Sequence, residues 1–205
     1  MNTMAKRNTD TLTKWFGSDF QFHQLYPIEI QLLANKQWTL LNIIQKAVQF
    51  LAPNDGVKVL DIGSGVGKFC LAGAYLKPGV LFYGVEQRKN LNDYAEEAKN
   101  VLDLMNANFI HGNFTQLDLK HYDNFYFYNS FFENLDGSDR IDNTLLYSAS
   151  LYDYYSQYLR KELEKMPSGT RIATCCSWDD EIPDDYHLIE SQIDIALKFW
   201  IKGPY

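Results

Sequence analysis

Val57–Phe69 reads VKVLDIGSGVGKF, and this stretch decides the fold. Val57, Val59, Leu60 and Ile62 form the compact apolar run of a short strand covered on both faces. Gly63, Gly65 and Gly67 follow at once, where glycine lets the backbone turn tightly and bring N–H groups close to a ligand. The pattern predicts a strand, a glycine-rich turn, and a helix over Gly65–Leu76. Asp61 sits at the mouth of the turn, where it repels a pyrophosphate and attracts a ligand bearing an ammonium group.

Two other glycine-loop readings fail on particular positions. The dinucleotide fingerprint needs glycine where Lys68 stands, and a phosphate-binding P-loop needs glycine at Ile62 and Ser or Thr at Phe69. The arrangement Asp61-x-Gly63-x-Gly65-x-Gly67 instead resembles the first motif of the class I S-adenosylmethionine-dependent methyltransferases. The resemblance implies S-adenosyl-L-methionine as cofactor, with S-adenosyl-L-homocysteine as product. It places Asp61, Gly63, Ser64, Gly65 and Gly67 against that cofactor.

Two further segments extend the resemblance. Leu81–Glu86, LFYGVE, is a second apolar run ending in an acid nineteen positions after Gly67, near the spacing at which a carboxylate meets ribose hydroxyls in doubly wound folds. In the family this position holds the ribose-binding acid, so Glu86 takes that role here, with Gln87 beside it as a cofactor contact. Ala107–Phe114, ANFIHGNF, is a third strand leading through a Gly112 turn to Asn113 and Phe114. Asn113 offers donor and acceptor to an adenine edge, and Phe114 a ring to stack on the base. Family members often carry Asp at the position of Asn113.

Beyond residue 56 the chain alternates strand and helix. Leu91, Tyr94, Ala95, Ala98, Val101, Leu102 and Met105 mark an amphipathic helix over Arg88–Met105. Asn124–Ser130 is an aromatic fourth strand, Asn143–Lys165 a long helix with Leu145 and Leu146 on its sheet-facing side, and Thr170–Ser177 a fifth strand. The runs Tyr186–Gln192 and Ile195–Ile201, broken at Ile193-Asp194, predict a hairpin. The expected fold is therefore α/β: a doubly wound, mostly parallel, seven-stranded Rossmann-like sheet with a C-terminal antiparallel hairpin and helices on both faces, as the family has. One domain spans 1–205, with an N-terminal helical cap over 1–56 and the core over 57–205. In the cap, Leu40, Leu41, Ile44, Ala47, Val48 and Leu51 mark a helix ended by Pro53. The rings of Trp15, Phe16, Phe20, Phe22, Tyr26 and Trp38 suit a core and a pocket equally.

Composition excludes several classes. A net charge of −7 with no basic stripe argues against nucleic acid as a partner. No apolar run approaches the roughly 18 residues that span a bilayer, and MNTMAKRNTD lacks the apolar core of a secretory signal, so a cytoplasmic address without a membrane partner is expected. Cys70, Cys175 and Cys176 form neither a disulfide framework nor a metal-ligand pattern, and no metal is expected. Cys175 and Cys176 are expected in the fifth strand, one facing each side of the sheet.

Methyl transfer by direct displacement depends chiefly on alignment, and a general base is needed only when the acceptor holds its proton at neutral pH. Candidate catalytic residues follow the fourth strand, at Asn129, Phe131 and Glu133, with Asn129 also touching the cofactor. The segment Tyr128–Phe132, YNSFF, is similar to the asparagine-and-phenylalanine segment of the Rossmann-type histone lysine methyltransferases and their bacterial relatives. His23, His111, His121 and His187 are the candidate bases. The acceptor is unidentified: a nitrogen on a small molecule or on a protein side chain is the working expectation. A cofactor- or partner-binding protein without catalysis and a nicotinamide-type oxidoreductase are the alternatives.

Overall fold

The computed structural model describes residues 9–135, 137–192 and 196–204. The N-terminal region is helical, with α1 (Thr9–Phe16), α2 (Asp19–His23), α3 (Ile28–Gln31), α4 (Ala34–Gln37) and α5 (Leu41–Leu51). The sheet begins with β1 (Lys58–Ile62) and continues through α6 (Lys68–Leu76), β2 (Leu81–Glu86), α7 (Lys89–Leu102), β3 (Ala107–His111) and β4 (Asn124–Tyr128). Then come α8 (Ala149–Leu163), β5 (Arg171–Cys175), β6 (Tyr186–Gln192) and β7 (Leu197–Lys202). The seven strands lie in the order β3-β2-β1-β4-β5-β7-β6. Every pairing is parallel except those of β7, which runs antiparallel to both β5 and β6.

Strand periodicity divides the core. Along β4, Tyr126 joins the cluster containing α5, α6 and the cap, while Phe125 and Phe127 join the one built on α8. On the first face Phe22, Ile44, Val48 and Leu51 pack in the same cluster as Val59, Leu71, Leu91 and Phe199, so cap and sheet share one apolar core. On the second, Leu159 and Leu163 of α8 meet Leu60, Ile62, Ile172 and Trp200. No helix among the described residues is long and apolar enough to cross a membrane.

Strand order reverses between β1 and β4, and the chain leaves β1 and β4 at the same edge of the sheet. A crevice opens there beyond the carboxyl ends of the parallel strands, as in doubly wound sheets generally.

Several boundaries differ from those expected. The helix after the glycine turn starts at Lys68, not Gly65, because Gly63, Gly65 and Gly67 all have positive φ (+77°, +53° and +82°). β4 stops at Tyr128 because Asn129 turns left-handed, with φ +45°. Likewise β5 ends at Cys175: Cys176 has φ +56° and is exposed, so the two cysteines do not straddle the sheet. α7 ends at Leu102, where Asp103 takes φ +51°, and the expected apolar positions Val101 and Met105 are exposed. α8 begins at Ala149 rather than Asn143, since the Ser148 side chain accepts from the Leu151 N–H and caps the helix. Leu146, expected against the sheet, is 88% exposed. The hairpin break at Ile193-Asp194 lies outside the described residues, as does Ile195.

Candidate active site

A cavity of about 1170 Å³, counted to its open mouth, fills the crevice. Its floor is the glycine loop. The N–H groups of Gly63 and Ser64 both donate to the Val85 carbonyl, which ties the loop to β2. The Gly65 N–H donates to Glu86 Oε2 at 3.0 Å, and a Cβ on Gly65 would meet open space. Gly63 and Gly67 are glycine for another reason: a Cβ there would lie 2.8 Å from Ser130 Cβ and 2.5 Å from the Phe109 ring, respectively. Gly67 does not line the cavity; it lets α6 pack on β3.

Asp61 lines the cavity and is 4% exposed. Among the described residues its hydrogen-bond partner is the Cys70 thiol, at 3.9 Å. Burial, and then the nearby Glu86, push its carboxyl well above the usual range, against the small opposing effect of that thiol. A buried carboxylate facing a cavity with no cation beside it is a strong demand for one.

Glu86, at the end of β2, is 5% exposed and better supplied. Its Oε1 accepts the Arg88 N–H at 2.8 Å, and the Arg88 guanidinium stands 3.7 Å from the same oxygen. Burial raises its pKa, while the Arg88 backbone and guanidinium and the Gly65 N–H pull it back. Each oxygen keeps a lone pair for a further donor.

The far wall is aromatic. Phe114 stacks on Phe131 at 5.2 Å between centroids, and Tyr155 lies 5.5 Å from Phe131. All three line the cavity, with Gln87 at its edge. Asn113, expected at a base edge, is not among the lining residues. Its Oδ1 accepts from the Thr115 N–H and hydroxyl, and its Nδ2 donates to Tyr155 Oη and Gln87 Oε1. Asn113 therefore caps the turn over Phe114–Gln116 and steadies two wall residues rather than facing the cavity itself.

At the other end, Tyr128, Asn129 and Ser130 close the cavity beside the loop. The Ser130 hydroxyl donates to the Ile62 carbonyl, and the Asn129 N–H donates to Ser177 Oγ at 3.1 Å. Burial, then the two neighbouring thiols, push the Tyr128 phenol up to about 12. The expected acid Glu133 does line the cavity, but its carboxylate is bound: Arg88 Nη2 holds Oε2, and the Ile141 N–H donates to Oε1 at 3.2 Å. It is a structural partner of Arg88, not a free base. None of the four histidines lines the cavity.

The cap contributes Leu33, Gln37, Trp38 and Thr39 to the lining. It is fastened to the loop region by Tyr26 Oη donating to the Val66 carbonyl at 2.9 Å and by Lys68 Nζ on Asp19 at 2.5 Å. Lys68 Nζ also lies 5.5 Å above the Phe22 ring and 5.7 Å from that of Trp38. Arg88, Tyr147, Tyr155, Lys68 and Trp38 were not singled out for the site from the sequence. Only Trp38 carried a signal, through its place in the aromatic leader.

These residues fit S-adenosylmethionine. Among the described residues Asp61 is a buried carboxylate without a cation and the Ser64 hydroxyl is buried without a partner, while Gly65 leaves space for close approach. The comparisons agree. A family model described as a methyltransferase domain matches residues 53–185. A search of curated proteins finds no match. Among solved structures, TrmN from Thermus thermophilus superposes with a TM-score of 0.60 at 17% identity, covering 85% of this chain and 52% of that one. The putative methyltransferase yhhF from Escherichia coli gives 0.57 at 12% identity, over 80% and 86% of the two chains. An RNA methyltransferase from Salinibacter ruber, in complex with S-adenosyl-L-homocysteine, gives 0.52 at 18% identity, over 80% and 92%. The chain belongs to the class I S-adenosylmethionine-dependent methyltransferases.

Proposed function

We propose that this protein transfers a methyl group from S-adenosylmethionine to a nitrogen nucleophile by direct displacement. The observation carrying the cofactor assignment is the buried Asp61 carboxylate, facing the cavity with a thiol as its hydrogen-bond partner. In this reading Asp61 receives the ammonium of the methionine part and the glycine loop admits its backbone. Glu86 accepts from the ribose hydroxyls, and Phe114, Phe131 and Tyr155 flank the adenine with Gln87 at its edge. Asn113 acts by holding Tyr155 and Gln87.

The bound cofactor supplies an electrophilic methyl carbon on a sulfonium. The chain's own residues supply alignment, with Tyr128, Asn129 and Ser130 at the methyl end and Trp38 and Thr39 of the cap closing it from water. A second cavity shares Gln37, Tyr128, Asn129 and Glu133 with the first and opens between the cap and residues 137–139, which suits acceptor entry.

Among the described residues of the cavity the candidate bases are absent or tied up, which favours nitrogen over oxygen. No histidine lines the cavity, Glu133 is tied to Arg88, and Tyr128 holds its proton to about 12. An alcohol would need a partner to take its proton, whereas a ring nitrogen or an amine already neutral at working pH brings its own lone pair. Asn129 and the Tyr128 hydroxyl can orient it. Net charge and pairing argue against RNA, the substrate class of the Salinibacter neighbour: the chain carries −7, and both lining cations, Lys68 and Arg88, are held by carboxylates. Calorimetry with S-adenosylmethionine, S-adenosylhomocysteine and NAD, followed by transfer of labelled methyl to amine, alcohol and RNA panels, tests the proposal. NAD binding without either sulfur nucleoside, or labelling of alcohols or RNA alone, would overturn it.

A further inference from the structure

Arg88 lies two residues past the ribose-side acid, and only 7% of it is exposed. Its guanidinium meets four acceptors. One is Glu86, at 3.7 Å. The other three come from a single segment, residues 133–147, whose described residues hold no strand and only the end of one short helical turn. They are the Glu133 carboxylate, the Tyr147 hydroxyl at 2.6 Å and the Asp142 carboxylate at 3.3 Å.

The segment is organised around this one side chain. Glu133 accepts from the Ile141 N–H, and its carbonyl accepts from Ser138 Oγ at 3.1 Å. Tyr147 Oη donates to the Asp142 carbonyl at 3.0 Å, and the Arg140 guanidinium covers the Tyr147 ring at 4.7 Å. Ile141, Leu145, Leu146 and Tyr147 line the same cavity as Glu86 and the aromatic wall. Leu146 does so while 88% exposed, an apolar side chain at the mouth with little to cover it.

We propose that Arg88 is a positioning residue for the nucleoside: it fixes the Glu86 carboxylate toward the ribose hydroxyls and straps Glu133 and residues 137–147 across the cavity mouth. This rests on the reading that Glu86 receives the ribose. Arg88 is suited to both tasks because a guanidinium offers five donors in one rigid fork, which a lysine ammonium cannot imitate. Charge makes the coupling strict. Glu86 is faced by Asp61 on β1 and by Glu133 and Asp142 from the strap, with Tyr147 beside them and His111 paired in register on β3. Arg88 is the cation among these carboxylates. Without it, Glu86 takes up a proton at higher pH, and a protonated carboxyl accepts less well from two hydroxyls.

The test is S-adenosylhomocysteine calorimetry across about pH 6 to 8.5 on wild type, Arg88→Gln, Arg88→Lys and Tyr147→Phe, with limited proteolysis of each ligand-free protein. Arg88→Gln is expected to weaken binding about tenfold or more at neutrality, with the loss growing as pH falls, and to open residues 133–147 to cleavage. Arg88→Lys restores the charge and the wild-type pH profile but leaves the strap cleavable. Tyr147→Phe keeps the charge, so it weakens binding a few-fold by the same factor at every pH and increases cleavage. A folded Arg88→Gln with affinity within about twofold of wild type at every pH, whatever its melting temperature, would overturn the proposal. If Arg88→Gln does not fold, Arg88→Lys and Tyr147→Phe decide, and wild-type affinity with a protected strap in both overturns it. Wild type that fails to bind S-adenosylhomocysteine refutes the cofactor roles instead.

Discussion

Replacing Asp61 with asparagine keeps the shape of the site and removes one charge, so it isolates the argument on which the cofactor assignment turns. The Asp61 side chain is 4% exposed, and only a thiol 3.9 Å away answers it among the described residues. An ammonium held there makes a charge-assisted hydrogen bond shielded from water. Such bonds contribute about 1.5–3 kcal/mol, and burial puts this one in the upper half of that range. About 2–3 kcal/mol corresponds to a loss of roughly 30- to 150-fold in S-adenosylhomocysteine affinity. The control is 5′-methylthioadenosine, which keeps the nucleoside and lacks the amino acid. Glu86 and Asp61 repel one another, so the asparagine relieves Glu86, and methylthioadenosine should bind the variant as well as wild type or slightly better. The sign of the pH dependence follows from the raised Asp61 pKa. Below that raised pKa the free protein holds a proton on Asp61 that the ammonium must displace, so wild-type affinity for S-adenosylhomocysteine rises with pH through that pKa and then levels. In the variant this rise is absent. Calorimetry on both ligands reads all of this. Equal losses for the two ligands would refute the placement of the ammonium, since they would show that the substitution damaged the nucleoside site.

Glu181, 3% exposed, accepts from Tyr152 and Ser156 through Oε1 while Oε2 has no partner among the described residues, and burial raises its pKa from 4.5 to about 7. A carboxyl whose folded pKa is raised stabilises the fold below its unfolded pKa, and that stability is lost as pH rises through the folded value. The loss is about 3 kcal/mol, or roughly 6–12 °C in melting temperature. Glu181→Gln should therefore gain on wild type steadily between about pH 5 and 8.5, and parallel melting curves across that range would sink the idea. Gly67→Ala combines a left-handed backbone, φ +82°, with a Cβ 2.5 Å from the Phe109 ring and 2.9 Å from Ala95, and should cost about 2–5 kcal/mol of stability. Gly65→Ala, φ +53° with open space around its Cβ, should cost about 1–2 kcal/mol and act mainly on S-adenosylhomocysteine affinity; thermal melts that reverse this order would refute the division of roles.

What could be read from the sequence divides along one physical line. The glycine loop was legible because strand, turn and helix start are contiguous, and because Asp61 puts a carboxylate at the mouth of a turn otherwise suited to phosphate. Glu133 shared the residue type and a similar place after a strand, yet its meaning was opposite. Its counter-ion Arg88 lies 45 positions away and meets it only when β2 and the strap are brought together. Asn113 failed for a local reason that was visible: Thr115 two residues on supplies the N–H and hydroxyl of an Asx turn, so the Asn oxygen was already spoken for. Ser148 was likewise readable as the cap that moves the start of α8 to Ala149 and frees Leu145 and Leu146 for the cavity mouth. The aromatic leader serves both purposes allowed for it, with Phe22 buried in the core and Trp38 both buried and lining the cavity. A candidate acid in a single sequence is thus a question about compensation. In the proposed reading Asp61 binds because folding leaves it without a cation among the described residues, and Glu133 is not the base because folding pairs it with Arg88.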